Sequence, residues 1–306
     1  MSQVNRQTVS YLRRRFEEVG LEPNARHGQN FLIDLNLIGI LADAAGITPN
    51  DVVLEVGTGM GSLTALLADH AAQIVTVEID KHLFQLAREE LEQFDNVTML
   101  QQDALKNKNH FHPLVLESVR SALDATPNGV FKLAANLPYN IGTPIISNLL
   151  ISELPPPATM TVTIQKELAD RIMAQPNSKD YSALTVWIQS MCDVELVRVM
   201  PPNVFWPRPK VYSAIIHIKL VQARRDRIPD LPYFHRFVRS IFFHRRKFLR
   251  SVAISAFKDR LDKTQVDSVL QAMGFGTDTR SEQLSVDVML ELCERFRALA
   301  PNWEVK

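Results

Sequence analysis

Short apolar segments rich in β-branched residues alternate with helical segments over residues 51–174, and this rhythm constrains the fold more than any other feature. The predicted strands are 51–56, 73–79, 96–101, 130–136 and 158–165, and helices are predicted at about 60–70, 81–93, 112–123, 141–151 and 166–174. Strands that alternate with helices form right-handed βαβ crossovers. The sequence therefore predicts an α/β, Rossmann-like fold with helices on both faces of a mostly parallel sheet.

Two further strands are predicted at residues 193–200 and 211–220, joined by the proline-rich turn PPNVFWPRPK. A short link between adjacent strands favours a hairpin, which would give the parallel sheet an antiparallel edge. Before the first strand, helices are predicted at 6–19 and 34–46. Asp34 is the expected N-cap of the second helix and Gly46 its expected end.

No strand pattern follows Val221. Residues 222–230 are polar and predict a linker, and helices are predicted at about 232–244, 246–257, 263–273 and 283–299. We therefore expect two domains. The first covers residues 1–222, with an N-terminal helical arm at about 1–30, and the second is a small all-helical domain over residues 223–306.

Composition places the chain among globular proteins, with 46% hydrophobic and 22% charged residues in 306. The 2 cysteines are too few for a disulfide framework and favour a reducing compartment. No apolar run approaches the ~20 residues that cross a bilayer. The N-terminal segment lacks the apolar core of a secretory signal. We expect a soluble, cytoplasmic protein without a membrane partner.

The formal net charge of +0 hides a basic segment between Arg198 and Arg260. It holds 15 Lys or Arg residues against 3 Asp residues, so it carries +12. Such a segment indicates a polyanionic partner and favours nucleic acid. The alternative is an ordinary solvated helical surface.

A glycine-rich loop, EVGTGMG at 55–61, connects the first strand of the rhythm to its helix. Glu78 follows Gly57 by 21 positions, the spacing of a carboxylate that accepts hydrogen bonds from ribose hydroxyls. These features indicate a nucleoside-containing cofactor and leave NAD and S-adenosylmethionine open. Ser62 at the third glycine position of the dinucleotide fingerprint, together with Glu55 and Asp103 at strand ends, favours S-adenosylmethionine.

The motif Asn136-Leu137-Pro138-Tyr139 stands at the end of the predicted strand 130–136. An amide oxygen and a nearby backbone carbonyl can accept both hydrogens of an exocyclic amine, and an aromatic ring can stack on its base. Methyl transfer from a sulfonium depends on alignment more than on acid–base assistance. The motif therefore predicts a site for methylating a planar amine.

Together these motifs resemble the KsgA-type small-subunit ribosomal RNA adenine dimethyltransferases, relatives of the erythromycin-resistance methylases. Further shared segments are GQNFL at 28–32, QDA at 102–104, QKE at 165–167, YSAL at 181–184, FWPRPKV at 205–211 and RRK at 245–247. The resemblance implies a class I S-adenosylmethionine-dependent methyltransferase. Its implied substrate is a pair of adjacent adenosines, dimethylated at N6, in a 3′-terminal hairpin of 16S-type rRNA. It also implies action on a pre-ribosomal particle, a role in ribosome biogenesis and a monomeric state.

The resemblance also implies residue roles. The catalytic residues would be Asn136, Leu137, Pro138, Tyr139 and Phe205, with Tyr139 and Phe205 sandwiching the flipped adenine. The cofactor-binding residues would be Gln29, Asn30, Leu32, Glu55, Gly57, Gly59, Glu78, Ile79, Asp103, Ala104 and Asn136. The RNA-binding residues would be Arg208, Lys210, Arg245, Arg246, Lys247 and Arg250. No metal site is expected, and His110 and His112 are assigned to a polar loop.

The chain departs from the family pattern at four places. Thr58 replaces a common proline in the glycine loop, which we expect to be harmless, Tyr212 replaces an aspartate, and Phe248 replaces a small polar residue. Residues 106–128 form an apparent extension. The rival functions are a non-catalytic ribosome-assembly factor, an NAD-dependent oxidoreductase and a large-subunit resistance methylase.

Overall fold

The computed structural model describes residues 9–18, 20, 29–244 and 246–303. Within these residues the strands, in chain order, are β1 (Phe31–Leu32), β2 (Asp51–Val56), β3 (Gln73–Glu78), β4 (Val97–Gln101), β5 (Leu105–Asn107), β6 (His110–Phe111), β7 (Val130–Asn136), β8 (Thr159–Gln165), β9 (Cys192–Met200), β10 (Phe205–Trp206) and β11 (Ser213–Leu220).

The helices, in chain order, are α1 (Val9–Glu18), α2 (Leu35–Ala45), α3 (Ser62–Ala68), α4 (Lys81–Leu91), α5 (Pro113–Asp124), α6 (Gly142–Leu149), α7 (Lys166–Ile172), α8 (Ala183–Gln189), α9 (Gln222–Arg225), α10 (Leu231–Phe242), α11 (Leu249–Ala256), α12 (Lys263–Ala272) and α13 (Val286–Leu299).

A seven-stranded sheet in the order β4-β3-β2-β7-β8-β11-β9 organises the α/β part of the chain. The pairs β3–β4, β2–β3, β2–β7 and β7–β8 are parallel, and β11 runs antiparallel to β8. Every residue of β2 is buried, as expected for a central strand covered on both faces. The predicted fold class and its antiparallel edge are confirmed.

Local sequence signals predicted the ends of most helices and strands to within a few residues. The Asp34 carboxylate accepts hydrogen bonds from the backbone amides of Asn36 and Leu37, so it caps α2 as predicted. Gly46 ends that helix with a left-handed φ of 55°. Several short elements were not predicted or were wrongly assigned, because they lack a long hydrophobic period. Besides β1 and β10, they lie at three places.

The first is the β5–β6 hairpin, where a polar loop was predicted for His110 and His112. His110 lies in β6, and the Nδ1 atom of His112 accepts a hydrogen bond from the Leu114 amide at the start of α5. The second is α8, which Ser182 and Thr185 begin with a capping box. The third is α9, which occupies part of the predicted linker at 222–230.

A second, two-stranded sheet brings distant residues together, since Phe31 pairs with Trp206 and Leu32 pairs with Phe205. Helix α1 packs against this sheet through Phe16, whose ring centroid lies 5.3 Å from that of Phe31 and 5.2 Å from that of Trp206. Leu12, Leu83, Leu86 and Met60 complete this apolar cluster. The sheet and helix therefore form one packed layer beside the glycine loop, which precedes α3.

A buried ion pair supports the central sheet near the start of β2. The Lys132 ammonium lies 2.7 Å from the Asp51 carboxylate. The same ammonium donates to the Gly46 carbonyl at 2.7 Å, and the Thr48 amide donates to Asp51 at 2.7 Å. The pair is thus embedded in further hydrogen bonds, as buried charges require.

The chain divides into two compact units, residues 1–169 with 195–219 and residues 170–194 with 220–306. The core of the second unit is aromatic, with Phe257 stacked on Phe296 and on Trp303 at centroid distances of 4.6 Å each. The Trp303 indole donates to the Ala256 carbonyl at 2.9 Å. Residues 170–194 thus belong to the second compact unit, whereas the predicted first domain covers residues 1–222. The functional boundary between residues 222 and 223 stays a prediction.

Candidate active site

One cavity collects the motifs that follow β2, β3, β4 and β7 in sequence. Its lining includes residues 55–60, 77–79, 102–104 and 136–138, together with Gln29, Asn30 and Leu32. Carboxyl ends of adjacent parallel strands meet at one edge of a sheet, where α/β folds bind ligands. The glycine loop and the Asn136 motif therefore line the same cavity.

The glycine loop needs its glycines because its backbone turns left-handed beside other backbone. Gly57 has a φ of 88°, and its amide donates to the Val77 carbonyl at 2.8 Å. A Cβ atom at Gly57 would lie 3.3 Å from Pro138 Cδ and 3.6 Å from the Asn136 carbonyl oxygen. The loop thus packs directly on the Asn136 motif, and a side chain at Gly57 would separate them.

Glu55 is buried at 1% exposure and binds two threonine hydroxyls. Its Oε2 atom accepts from Thr64 at 2.5 Å and from Thr76 at 2.8 Å. The Thr76 hydroxyl also lies 2.6 Å from that of Thr58, so the residue that replaces a proline joins this network. Burial raises the pKa of Glu55 to about 8, against the lowering effect of the two hydroxyls.

The Glu78 carboxylate is hydrogen-bonded to the glycine loop. Its Oε2 atom accepts from the Gly59 amide at 2.9 Å, and its Oε1 atom accepts from the Asp80 amide at 3.0 Å. Burial raises the pKa of Glu78 to about 7, and these backbone hydrogen bonds oppose the shift. The carboxylate is thus fixed in orientation at the cavity wall.

The third acid, Asp103, is exposed at the cavity and its Oδ1 atom accepts from the Leu105 amide at 2.9 Å. Ile79 and Ala104 line the cavity next to Glu78 and Asp103, so the predicted cofactor set lies together. Their roles toward a cofactor stay predictions.

The two polar atoms of the Asn136 side chain differ in their hydrogen bonding. Its Nδ2 atom donates to the Asn30 carbonyl at 3.1 Å, which fixes the amide plane. Its Oδ1 atom is buried and has no hydrogen-bond partner among the residues that the structure describes. Because an unmet buried acceptor costs about 1–3 kcal/mol, the site is prepared for a donor that a ligand brings.

The remaining residues of that motif are held by backbone and side-chain contacts. The Leu137 amide donates to the Thr163 carbonyl at 3.2 Å, and the Tyr139 hydroxyl is hydrogen-bonded to the Ser213 hydroxyl. Burial raises the pKa of Tyr139. Tyr139 itself is absent from the described cavity lining, unlike Leu137 and Pro138.

Phe205 is buried in an apolar cluster with Leu32, Ile38 and Leu41, and the described cavity lining does not include it. A base cannot stack on this ring unless the ring leaves its cluster. The predicted sandwich between Tyr139 and Phe205 therefore stays a prediction that requires a side-chain movement.

Sequence reasoning missed several residues of the cavity wall. Ile38, Leu41, Met60, Leu63 and Leu83 supply its apolar part. They come from helices or helix approaches, where their spacing indicates only core packing. Gln102 also lines the cavity, and its Nε2 atom is buried without a hydrogen-bond partner in the described part of the chain. Its place directly before Asp103 was the signal that could have identified it.

The predicted RNA-binding residues differ in their surroundings. Arg208, Lys210, Arg246 and Lys247 are exposed, and Arg245 lies outside the described residues. Arg250 forms a bidentate pair with Asp267, with distances of 2.6 Å and 2.8 Å.

Acids from outside the segment offset part of its charge. Besides the Arg250 pair, Arg224 lies 2.8 Å from Asp193 and Arg227 lies 2.6 Å from Asp287. The count of +12 along the sequence therefore overstates the positive field of the segment between Arg198 and Arg260.

Among the described residues, no helix combines the length and hydropathy needed to span a membrane.

Comparison with known proteins gives one consistent family. The profile of the family described as "Ribosomal RNA adenine dimethylase" matches residues 20–297. A ribosomal RNA small subunit methyltransferase A from Clostridium botulinum is 38% identical over 264 residues, which are 86% of this chain and 90% of the relative.

Two solved structures share the fold. A dimethyladenosine transferase from Plasmodium falciparum has a TM-score of 0.70 at 23% identity, covering 87% of this chain and 97% of that one. The 23S rRNA methyltransferase ErmE has a TM-score of 0.58 at 26% identity, covering 87% of this chain and 98% of that one. With the family profile spanning most of the sequence, this chain belongs to the ribosomal RNA adenine dimethylase family.

Proposed function

We propose that the chain dimethylates the exocyclic nitrogen N6 of two adjacent adenosines in a 3′-terminal hairpin of small-subunit rRNA, with S-adenosylmethionine as methyl donor. Family membership supports adenine in rRNA as the target. Its curated relatives are named for the small ribosomal subunit, which supports that subunit as the source of the RNA. The unsatisfied Oδ1 atom of Asn136, beside the glycine loop, carries the assignment of the reaction site.

The residues of the cavity fit S-adenosylmethionine. When bound, S-adenosylmethionine supplies a methyl group activated by a sulfonium. Glu78 accepts hydrogen bonds from ribose hydroxyls, and Asp103 accepts one from the adenine amine. Glu55 faces the cationic amino-acid end, because a buried carboxylate gains from a nearby positive charge. Gln29, Asn30 and Leu32 close the cavity at β1.

Asn136 orients the target amine. Its Oδ1 atom accepts one amine hydrogen, and a backbone carbonyl at Leu137 or Pro138 accepts the other, which aims the nitrogen lone pair at the methyl group. Asn30 keeps the amide from rotating, since its carbonyl holds the Nδ2 atom. The chain supplies alignment and charge placement and needs no strong base for the attack.

The target adenine must leave its stack to reach this site, at a cost of a few kcal/mol. Stacking between Tyr139 and Phe205 offsets that cost once Phe205 turns out of its cluster. Arg208, Lys210, Arg245, Arg246, Lys247 and Arg250 bind phosphates, so affinity falls steeply with salt. The enzyme acts as a monomer on a pre-ribosomal particle in the cytoplasm and contributes to ribosome biogenesis.

The test replaces Asn136 by alanine and measures incorporation of labelled methyl groups into unmethylated small ribosomal subunits. We expect the rate to fall about 100-fold or more, as when one transition-state hydrogen bond is removed. Asn109→Ala is the matched control, because the Asn109 side chain is exposed in the β5–β6 hairpin and its hydrogen bond to Asn107 is made by its backbone amide. Undiminished methylation by Asn136→Ala would reject the assigned role.

The similarity to ErmE raises a large-subunit substrate as the second candidate. Parallel assays with small and large subunits distinguish the two, and labelling confined to the large subunit would overturn the small-subunit assignment. A particle-binding protein that incorporates no label would instead be an assembly factor without activity. Mapping of the modified nucleotides by reverse transcription then identifies the adenosines.

A further inference from the structure

Two adjacent phenylalanines at the end of α10 have different surroundings. The Phe242 ring packs edge-on against the buried Tyr181, with 5.9 Å between ring centroids. Phe243 is 79% exposed, well above the other exposed large apolar residues. An aromatic side chain held in water gives up the stabilisation that burial would supply. Its exposure leaves an aromatic face accessible to a partner.

Backbone hydrogen bonds hold the described residues that follow Phe243. The Lys247 amide donates to the His244 carbonyl at 2.9 Å, and the Leu249 amide donates to the Thr279 carbonyl at 2.7 Å. Phe248, 42% exposed, is the N-cap residue of α11, which follows. We call residues 243–244 and 246–248 together the aromatic–basic turn.

The charges of the aromatic–basic turn all have one sign. Arg246 and Lys247 are exposed, and residues 239–250 contain no Asp or Glu. The Arg280 guanidinium lies over the Phe248 ring, 5.2 Å from its centroid, and adds a further cation. Aromatic faces beside these cations suit a partner with flat rings and negative charges, which describes single-stranded nucleic acid.

We propose that the aromatic–basic turn binds an unpaired nucleotide of the RNA substrate, with its base stacked on Phe243 and its phosphates bound by Arg246 and Lys247. This site rests on the proposed function and extends it from the reaction site to a second contact with RNA. Stacking does not depend on base identity, so the contact adds affinity without reading sequence.

The test measures binding of full-length protein to a short unpaired RNA, to an RNA duplex of the same composition and to unmethylated small subunits. We expect Phe243→Ala to weaken binding to the unpaired RNA and to the subunits about tenfold, and to leave duplex binding unchanged. Phe243→Trp retains affinity because it keeps an aromatic face. Phe243→Leu loses affinity although it stays apolar.

Matched controls separate stacking from general surface effects. Leu299→Ala removes another exposed apolar side chain of the second unit and leaves all three affinities unchanged. Replacing Arg246 and Lys247 by glutamine weakens binding to unpaired RNA and duplex alike and reduces the salt dependence. Because Phe243 is exposed, its variants keep the melting temperature of the parent protein.

Two outcomes would overturn the site: equal affinity of Phe243→Ala and the parent protein, or full rescue by Phe243→Leu. The second outcome would indicate an apolar protein partner. Failure of the proposed function looks different, since the parent protein would then incorporate no methyl label into small subunits, whether or not it binds them. A parent that binds and methylates, with Phe243→Ala identical to it, rejects the stacking site alone.

Discussion

Gly57 and Pro138 line the same cavity and lie so close together that a Cβ atom at Gly57 would lie 3.3 Å from Pro138 Cδ. This closeness joins the glycine loop to the motif that we propose orients the target amine. The distance between the two functional parts of the site is thus set by the absence of a side chain.

Gly57→Ala is expected to weaken binding of S-adenosylmethionine at least about tenfold and to destabilise the fold by about 1–2 kcal/mol, because alanine disfavours a φ of 88°. Calorimetric titration and thermal melts measure the two effects. Gly46→Ala is the matched control, since Gly46 also has a positive φ but nothing within 4 Å of its Cβ position. It should lose stability and keep donor affinity, and equal donor affinity in both variants would contradict the argument.

Donor affinity is expected to rise with pH between about pH 6 and pH 8. Burial raises the pKa of Glu55 to about 8 and that of Glu78 to about 7 in the donor-free protein. A cationic donor favours the ionised carboxylates, so binding releases protons in this range and becomes tighter as pH rises. Titrations in buffers of different ionisation enthalpy count the protons released.

The Glu55→Gln variant tests the source of this dependence. An amide cannot ionise, so the variant should release fewer protons and show a shallower pH dependence than the parent protein. A parent affinity that is flat across the range, or a variant with an unchanged slope, would show that Glu55 stays in one protonation state.

Helix α1 is expected to support donor binding from outside the cavity. Phe16 packs on Phe31, and Phe31 lies at the cavity wall close to Gly59. Phe16→Ala removes that support and should weaken donor binding several-fold. Because it deletes a buried aromatic side chain, it should also lower the free energy of unfolding by up to about 3–5 kcal/mol. Arg14→Ala, on the exposed side of α1, should leave donor affinity unchanged. Equal donor affinities of the two variants would show that α1 does not support donor binding.

Lys132→Ala is expected to destabilise the protein by about 3–5 kcal/mol, since it leaves the 2%-exposed Asp51 carboxylate without its partner. Urea denaturation measures this loss. Arg120→Ala is the comparison, because the Arg120–Glu153 pair is 3.8 Å long and exposed, and its loss should cost less than about 1 kcal/mol. Similar losses of stability in the two variants would show that burial of the ion pair is not the cause of the destabilisation. Methyl transfer by folded Lys132→Ala protein should match the parent.

The sequence predicted the central sheet well because its strands and helices have clear periods and end signals. Asp34 and Gly46 bound α2 as expected, and β2 matches its predicted range. The glycine loop, Glu78, Asp103 and Asn136 were predicted to be site residues because each lies at or just after the end of a strand, and the carboxyl ends of adjacent parallel strands meet at one edge of the sheet.

Contacts made by distant segments were not predictable. Nothing local shows that Phe31 pairs with Trp206, that Phe205 is buried, or that Thr58 joins the Glu55 network. Likewise, the pairing of Arg250 with Asp267 depends on how α11 and α12 pack. A charge count along the sequence omits such acidic partners, so it overestimated the positive field of the basic segment.

The β1–β10 pairing has a consequence for the order in which the protein becomes competent during synthesis. Phe31 leaves the translating ribosome early, and Trp206 leaves after about two thirds of the chain has been made. A nascent chain shorter than this holds the glycine loop and the Asn136 motif but lacks the strand that pairs with β1. The pairing beside the glycine loop is therefore completed only late in translation, and we expect prematurely terminated products to be inert.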